Sequence, residues 1–396
     1  MTAWIRYLLY GSLAGLAIFG SWQTWNVVAT SRYHDAVERF AAAGLPTTMR
    51  DLLPPAVPPE MNAAPLYLRA MALAKPLPDI RGPVSPPLSK EMREAVAAAN
   101  EALEIFRKAA ALPGCSFPRD ASGWPDSSVR ISDLVKLGRL LAARAAMRAE
   151  EGDAASALDD LKTLFRASRA LRDEPTLLPQ IVRLTICGLG LDALKAIFPR
   201  APSAAEAFRR VEPDDLRGGF ARGLRCEAAH FVENSTQGWP DLEMKTLSWK
   251  DPIDVLFRFR AVTRPYLKSL EGAEVDFMRQ LLSAIEKPYP ETIPLASKLE
   301  ADARRSGGLL PIFVAGYRGW LEREAKSVSR MEAARVAALL MDHQRKKGTL
   351  PASLADIESA ESVLDPLSGE PFVLARRGRG LFLESPDDPS VSWKIE

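Results

Sequence analysis

Val129–Ser168 reads VRISDLVKLGRLLAARAAMRAEEGDAASALDDLKTLFRAS. Apolar residues return every three or four positions, the period of an α-helix. In a first helix from about Val129 to Glu150, Ile131, Leu134, Leu141 and Ala145 line one side. Asp133, Lys136, Arg144 and Arg148 line the other. Gly152-Asp153 marks a tight turn. A partner helix follows, with Ala157, Leu161, Leu164, Phe165 and Ser168 on its inner side, and it ends before Pro175. Neither helix buries its apolar face alone, so the stretch predicts a helical hairpin packed in a larger bundle.

The neighbouring segments extend that reading. Leu177 to Phe198 is a second long apolar run, but it carries Arg183, Asp192 and Lys195. Each is costly in hydrocarbon, which makes this the buried central helix of the domain. Ser89 caps an amphipathic helix whose apolar positions are Met92, Val96, Ala99, Leu103, Phe106 and Ala110, ending at Leu112-Pro113-Gly114. Upstream, Asn62 opens a short helix to about Ala74 between two Pro-rich stretches. Residues 203–345 read as further helices broken at Gly238-Trp239-Pro240, Lys287-Pro288 and Gly307-Gly308. The last helix is predicted to start at a capping box, Ser329-Arg330-Met331-Glu332. Met331, Ala334, Ala338 and Met341 form its stripe, and Gly348 follows Lys346 and Lys347 as its C-terminal cap. Ala145, Gly152-Asp153 and Ala157-Leu158 give the hairpin a likeness to one tetratricopeptide repeat. Arg148 stands where that motif has an aromatic residue, and no second copy follows at its period.

At the N-terminus no charged residue occurs from Tyr7 to Ala29. Trp4 and Tyr7 stand at one end of the apolar part, Trp22 and Trp25 at the other, roughly 27 Å apart at the helical rise. Aromatic residues at both interfaces are the belt of a membrane span. Arg6 precedes it without an acidic neighbour, whereas Arg32 and Arg39 are diluted by Asp35 and Glu38, which orients the N-terminus inside. Val27-Val28-Ala29 leaves a cleaved signal peptide as the rival reading, and a buried helix of a soluble domain as the third.

At the other end, Phe372-Val373-Leu374 and Leu381-Phe382-Leu383 are two arms of a hairpin around Arg376-Arg377-Gly378-Arg379-Gly380, with Val391 to Ile395 as a third strand. The stretch Gly348 to Ile357, then Asp365-Pro-Leu-Ser-Gly-Glu-Pro-Phe372, resembles the end of type II secretion pseudopilins. No prepilin signal opens the membrane segment. Asn62-Ala-Ala-Pro-Leu-Tyr67, the Gly152-Asp153 helix pair and the Asp365-Pro366…Pro371 tail together are similar to uncharacterised single-pass envelope proteins of planctomycete-type bacteria. That resemblance implies architecture and a bacterial envelope setting. It implies no mechanism.

Composition narrows the functions. The 396 residues carry 52 Lys and Arg against 50 Asp and Glu, a net charge of +2, which gives no footprint for nucleic acid. Cys115, Cys187 and Cys226 are far apart and form no Cys-x-x-Cys, which excludes zinc ribbons and thioredoxin-like motifs; three buried free thiols are expected, with one disulfide in an oxidising compartment as the alternative. The sharpest chemical cluster is Cys226, Glu227, His230 and Glu233. Glu227, His230 and Glu233 share one helical face, and Glu-x-x-His is a ligand pair of di-iron bundles, although that site needs a second copy, which is absent. Cys226 and His230 have nucleophile–base spacing without an oxyanion-hole signature. Gly378-Arg379-Gly380 is too short for a phosphate loop. Trp124, Trp239 and Trp249 would form either a stacking surface or a lid over the core. Asn234-Ser235-Thr236 is a glycosylation pattern only in a eukaryotic secretory setting.

The expectation is an all-α fold, a helical bundle with one tetratricopeptide-like hairpin and a small C-terminal β-hairpin, preceded by one transmembrane helix. Its parts are a 1–30 anchor, a 31–88 stalk and Pro-rich linker, an 89–348 helical domain and a 349–396 β element. The function expected is a periplasmic, membrane-anchored binding or scaffold protein with an envelope protein partner, no cofactor and no nucleic acid. A metal-dependent enzyme using Glu227 and His230, and a pseudopilin-associated accessory protein, are the alternatives.

Overall fold

The computed structural model describes residues 3–77, 84, 87–120, 129–198, 208, 215–237, 255, 258–357, 363–378 and 380–395. It is mostly helical. In order come α1 (Ala3–Ala42), α2 (Ala64–Ala74), α3 (Lys90–Ala98), α4 (Asn100–Ala110), α5 (Leu134–Glu150) and α6 (Ala154–Ala170). They are followed by α7 (Leu177–Ile197), α8 (Leu216–Gln237), α9 (Arg260–Ala284), α10 (Tyr289–Ser306), α11 (Leu310–Val314) and α12 (Tyr317–Lys347). The chain closes with β1 (Val373–Arg377), β2 (Gly380–Glu384) and β3 (Ser392–Lys394), an antiparallel sheet in that order.

The chain divides into two units. One comprises residues 1–51, 227–284 and 295–317; the other comprises 52–226, 285–294 and 318–396. Residues 31–51, read from the sequence as stalk, are thus packed chain in the first unit.

In the first unit α1 is one 40-residue helix with two surroundings. Its second half buries Ala29, Tyr33, Ala36 and Phe40, a single helical stripe, against α9. Gly272 makes the close approach possible: a Cβ there would lie 3.3 Å from the Tyr33 Cα. The Tyr33 hydroxyl shares hydrogen bonds of 2.8 Å with Ser235 and Thr236, and the Lys268 ammonium sits 4.0 Å from the ring centre. The first half of α1 buries nothing large: Trp4, Tyr7, Leu13, Leu16, Ile18 and Phe19 are all exposed.

In the second unit α5, α6 and α7 pack on one another, α2 lies on α4, and α3 lies on α5. The expected stripe Met92, Val96, Ala99, Leu103, Phe106 and Ala110 is buried throughout, but the helix bends at Ala99 into α3 and α4. Ser89 accepts from the Met92 N–H at 3.2 Å. Asn62 accepts from the N–H groups of Ala64 and Ser116, so it opens α2 and ties it to residues 114–116. One member of the polar side assigned to α5 is corrected: Arg144 is buried, whereas Lys136 and Arg148 are half-buried. Enclosure there is tolerable because Arg144 donates twice to the fully buried Asp160, at 2.7 and 3.0 Å, and once to Glu104. Arg148 adds a third bond to Asp160, which accounts for its place in the hairpin.

The helix predicted to begin at Ser329 is also corrected. Helix α12 starts at Tyr317, and Ser329 lies buried in its middle with its hydroxyl on Asp365. A real capping box occurs later, where Ser353 and Asp356 exchange bonds around the 3₁₀ turn Leu354–Asp356. Gly348, at φ 75°, ends α12 as expected. The tail forms both the hairpin and the third strand, with Leu383 and Trp393 buried in register.

Candidate functional site

Helix α8 begins over Asp215, whose carboxylate accepts from the Gly218 N–H at 2.7 Å. Glu227, His230 and Glu233 follow on it. Glu233 accepts from the Met49 N–H at 3.2 Å. The His230 ring is 2.9 Å from the Asn234 amide. Glu227 lies close enough to Tyr317 to add, after burial, to the forces raising that phenol. Among the described residues, no three His, Cys, Asp or Glu side chains form a metal-ligand set. Cys226 is fully buried, as are Cys115 and Cys187, and none is in a disulfide. Burial pushes the Cys115 thiol well up, away from reactivity.

Asn234-Ser235-Thr236 lies inside α8 with Ser235 buried, where no exposed acceptor loop exists. Trp124, Trp239, Trp249 and Arg379 fall outside the described residues, as does the break expected at Gly238-Trp239-Pro240. Gly378, at φ 61°, turns the hairpin.

The tail motif around Asp365 is a structural clasp. The carboxylate of Asp365 is fully buried and accepts from the hydroxyls of Ser329, Ser368 and Ser385 and from the Leu367 N–H. It therefore binds the tail to α12 and to the loop after β2.

The arrangement best suited to hold a ligand is a cleft of about 360 Å³ between α7 and α12 in the second unit. Ile181, Leu184 and Leu189 supply apolar wall, and Trp320 an aromatic one. Arg139, Arg323, Lys326 and Arg330 supply four cations against one lining carboxylate, Asp192. Arg330 pairs with Asp192 at 2.5 Å, and Lys326 with Asp388 at 3.1 Å. Arg323 has no carboxylate partner among the described residues; its guanidinium lies 4.8 Å from the Trp320 ring centre. Nearby, burial first and the Arg330 charge second push the Lys195 ammonium down to about 8. A second cleft, of about 650 Å³, shares Arg323 and Lys326 and is lined on its far side by Pro290, Ile293, Leu367 and Asp388.

This cleft has no local motif, since its residues span positions 139 to 330. A signal was nevertheless present: Trp320, Arg323, Ser327 and Arg330 recur at helical spacing and make one basic-aromatic face. Two buried acids lie elsewhere. Burial raises Glu324 to about 7 while the Tyr289 hydroxyl donates to it. Burial, then the neighbouring Glu271, raises Glu274 to about 8.

No protein family model matches the chain, and neither curated proteins nor solved structures include a match.

Proposed function

We propose that the protein is a membrane-tethered binding protein of the bacterial cell envelope. The first 25 or so residues of α1 are its anchor, and the helical body takes up an anionic partner in the cleft between α7 and α12. The observation that carries the tether is the run of exposed apolar side chains from Trp4 to Val28, with Trp4 77% and Ile18 72% exposed. An apolar surface of that extent is stable against hydrocarbon or another protein, and not against water. From Tyr7 onward it carries no charge, and it is bounded by aromatic pairs. The helix that is long and apolar enough to cross a membrane by length and composition among the described residues is α7, and its apolar window is 78% buried. It is core.

The cleft's surplus of cations supports an anionic partner, and its apolar walls support one with an apolar portion. The Arg6 flank supports a cytoplasmic N-terminus, which leaves the body outside.

Two measurements test this. Full-length protein should stay with membranes through alkaline extraction; release into the soluble fraction sinks the tether. Because all three cysteines are buried, a single Lys347→Cys should take an impermeant maleimide in intact cells. Labelling only after lysis reverses the orientation. For the cleft, Arg323→Gln should weaken retention on an immobilised aromatic carboxylate at least tenfold while leaving the fold intact. An unchanged affinity removes the cleft from the proposal.

A further inference from the structure

A second part of the first unit stands at the level where α1 changes surroundings. Trp22, half-buried within the exposed apolar run, donates its indole N–H to the Val262 carbonyl at 2.8 Å. That bond fixes the start of α9 beside the end of the apolar run. The sequence there is Arg258-Phe-Arg-Ala-Val-Thr-Arg264, with no acidic residue. Phe259 is 50% and Val262 68% exposed, two of the few large apolar side chains outside α1 that face solvent. Arg260 and Arg264 are also exposed and have no carboxylate partner among the described residues. Behind them Lys268 is already engaged, by Glu271 at 2.6 Å and the Ser235 carbonyl.

Exposed apolar side chains are costly against water, and a bilayer interface accommodates both them and the guanidinium groups that alternate with them. There the apolar groups enter the acyl boundary while the cations meet phosphate. We infer that residues 258–264 are a second membrane contact of this protein, in which Phe259 and Val262 dip into the interface and Arg260 and Arg264 bind anionic phospholipid headgroups. The inference rests on the tether reading, because Trp22 sets the level of the segment. It adds that the tether does not swivel freely: α1 and the start of α9 are held by the Trp22–Val262 bond and enter the surface together.

The test uses the full-length protein reconstituted in bilayers of phosphatidylcholine, alone or with phosphatidylglycerol. A polarity-sensitive dye is placed at Val262→Cys or, separately, at Leu13→Cys, the native thiols being buried. Quenching by nitroxide carried on lipid acyl chains is then compared with quenching by aqueous iodide. Position 262 should be quenched by the lipid nitroxide and shielded from iodide, more strongly when phosphatidylglycerol is present. Arg260→Gln with Arg264→Gln should lower that anionic-lipid enhancement by about fivefold or more, and potassium chloride should do the same. Iodide quenching at 262 with lipid quenching at 13 overturns the second contact and keeps the tether. Iodide quenching at both positions overturns the tether as well. Lipid quenching at 262 that ignores phosphatidylglycerol and both arginines overturns the headgroup assignment.

Discussion

Two apolar helices of this chain, the first half of α1 and the whole of α7, have similar composition and opposite fates. Helix α7 is enclosed: Ile186, Leu191, Leu194 and Ile197 are wholly buried, with α5 and α6 against it. Its one deeply buried cation, Arg183, is hydrogen-bonded to the Gln180 side chain at 3.1 Å and the Asp215 carbonyl at 3.0 Å. The first half of α1 has no such company. Its leucines and aromatics face outward, and from Tyr7 onward it has no charge to satisfy. Hydrophobicity alone therefore does not say what a helix is buried in. The difference lies in the partners: a helix with buried polar groups needs neighbours that answer them, and a helix without them is free to meet lipid.

The strongest way to break this comparison is to put the same charge into both helices. Leu194→Arg places an unpaired guanidinium in a closed core, on the order of 5 kcal/mol or more, comparable to the whole stability of a domain. The helical body should unfold, read by circular dichroism, while a protein tethered as proposed stays in the membrane fraction. Leu13→Arg with Leu16→Arg should do the reverse. In the proposed span two central arginines cost about 5 kcal/mol of insertion, so under that proposal the protein leaves the membrane fraction with its helical content unchanged. If Leu13→Arg with Leu16→Arg unfolds the body, the two helices are the same kind of element after all.

The second half of α1 offers a milder test, because there α1 behaves like α7. Phe40 is fully buried, and Phe40→Ala should cost about 3–5 kcal/mol of packing. Hydrogen exchange should quicken in α9 and in the second half of α1, and nowhere in its first half. A uniform change along α1 would deny that the helix has two regimes.

Much of this was legible in the sequence and some was not, for reasons that can be named. The α5–α6 hairpin, the burial of α7 and the three tail strands follow from periodicity, because one set of apolar residues admits one buried face. The extent of α1 past residue 30 was legible as helix, yet its packing on α9 was not: nothing local in Arg32 to Phe40 says that Gly272, far along the chain, leaves room for Tyr33. Arg144 was misread as surface because its partner, Asp160, lies on the next helix. Ser329-x-x-Glu332 has the letters of a capping box, but the turns before it from Tyr317 are also helical, so no orphan donors exist there to be capped. Glu227, His230 and Glu233 share a helical face, and among the described residues no three His, Cys, Asp or Glu side chains gather as a metal-ligand set. The cleft was dispersed over three helices, with only the α12 face Trp320–Arg330 as a local trace.

A buried acid sharpens the contrast within the first unit. Glu274, on α9, is nearly enclosed and has the like charge of Glu271 beside it, which after burial itself raises its value to about 8. An unfolded glutamate titrates near 4.5. Between those values the folded protein keeps a proton that the unfolded chain gives up, so this contribution to stability is complete below about pH 4.5 and is lost as pH rises through about 8. The melting midpoint of the unit should fall between pH 5 and pH 9, and Glu274→Gln should flatten that fall. An identical slope in the variant would assign the titration elsewhere.

The smallest effect belongs to an ion pair joining the second half of α1 to α9. The Arg39 guanidinium meets the Asp276 carboxylate at 2.6 Å, a short contact that suggests a strong attachment. Neither side chain is enclosed, however, with 51% of Arg39 and 30% of Asp276 exposed, and Asp276 also faces Arg279. Water and salt screen such a pair, and holding two long side chains in register offsets most of what remains. Asp276→Asn should therefore leave the melting midpoint within its measurement scatter, at low and at high salt alike, in contrast to Phe40→Ala four turns or fewer away. If Asp276→Asn instead detaches α1 as Phe40→Ala does, then charge, and not the buried stripe Ala29, Tyr33, Ala36 and Phe40, holds this half of the helix in the protein, and the likeness drawn between it and α7 fails.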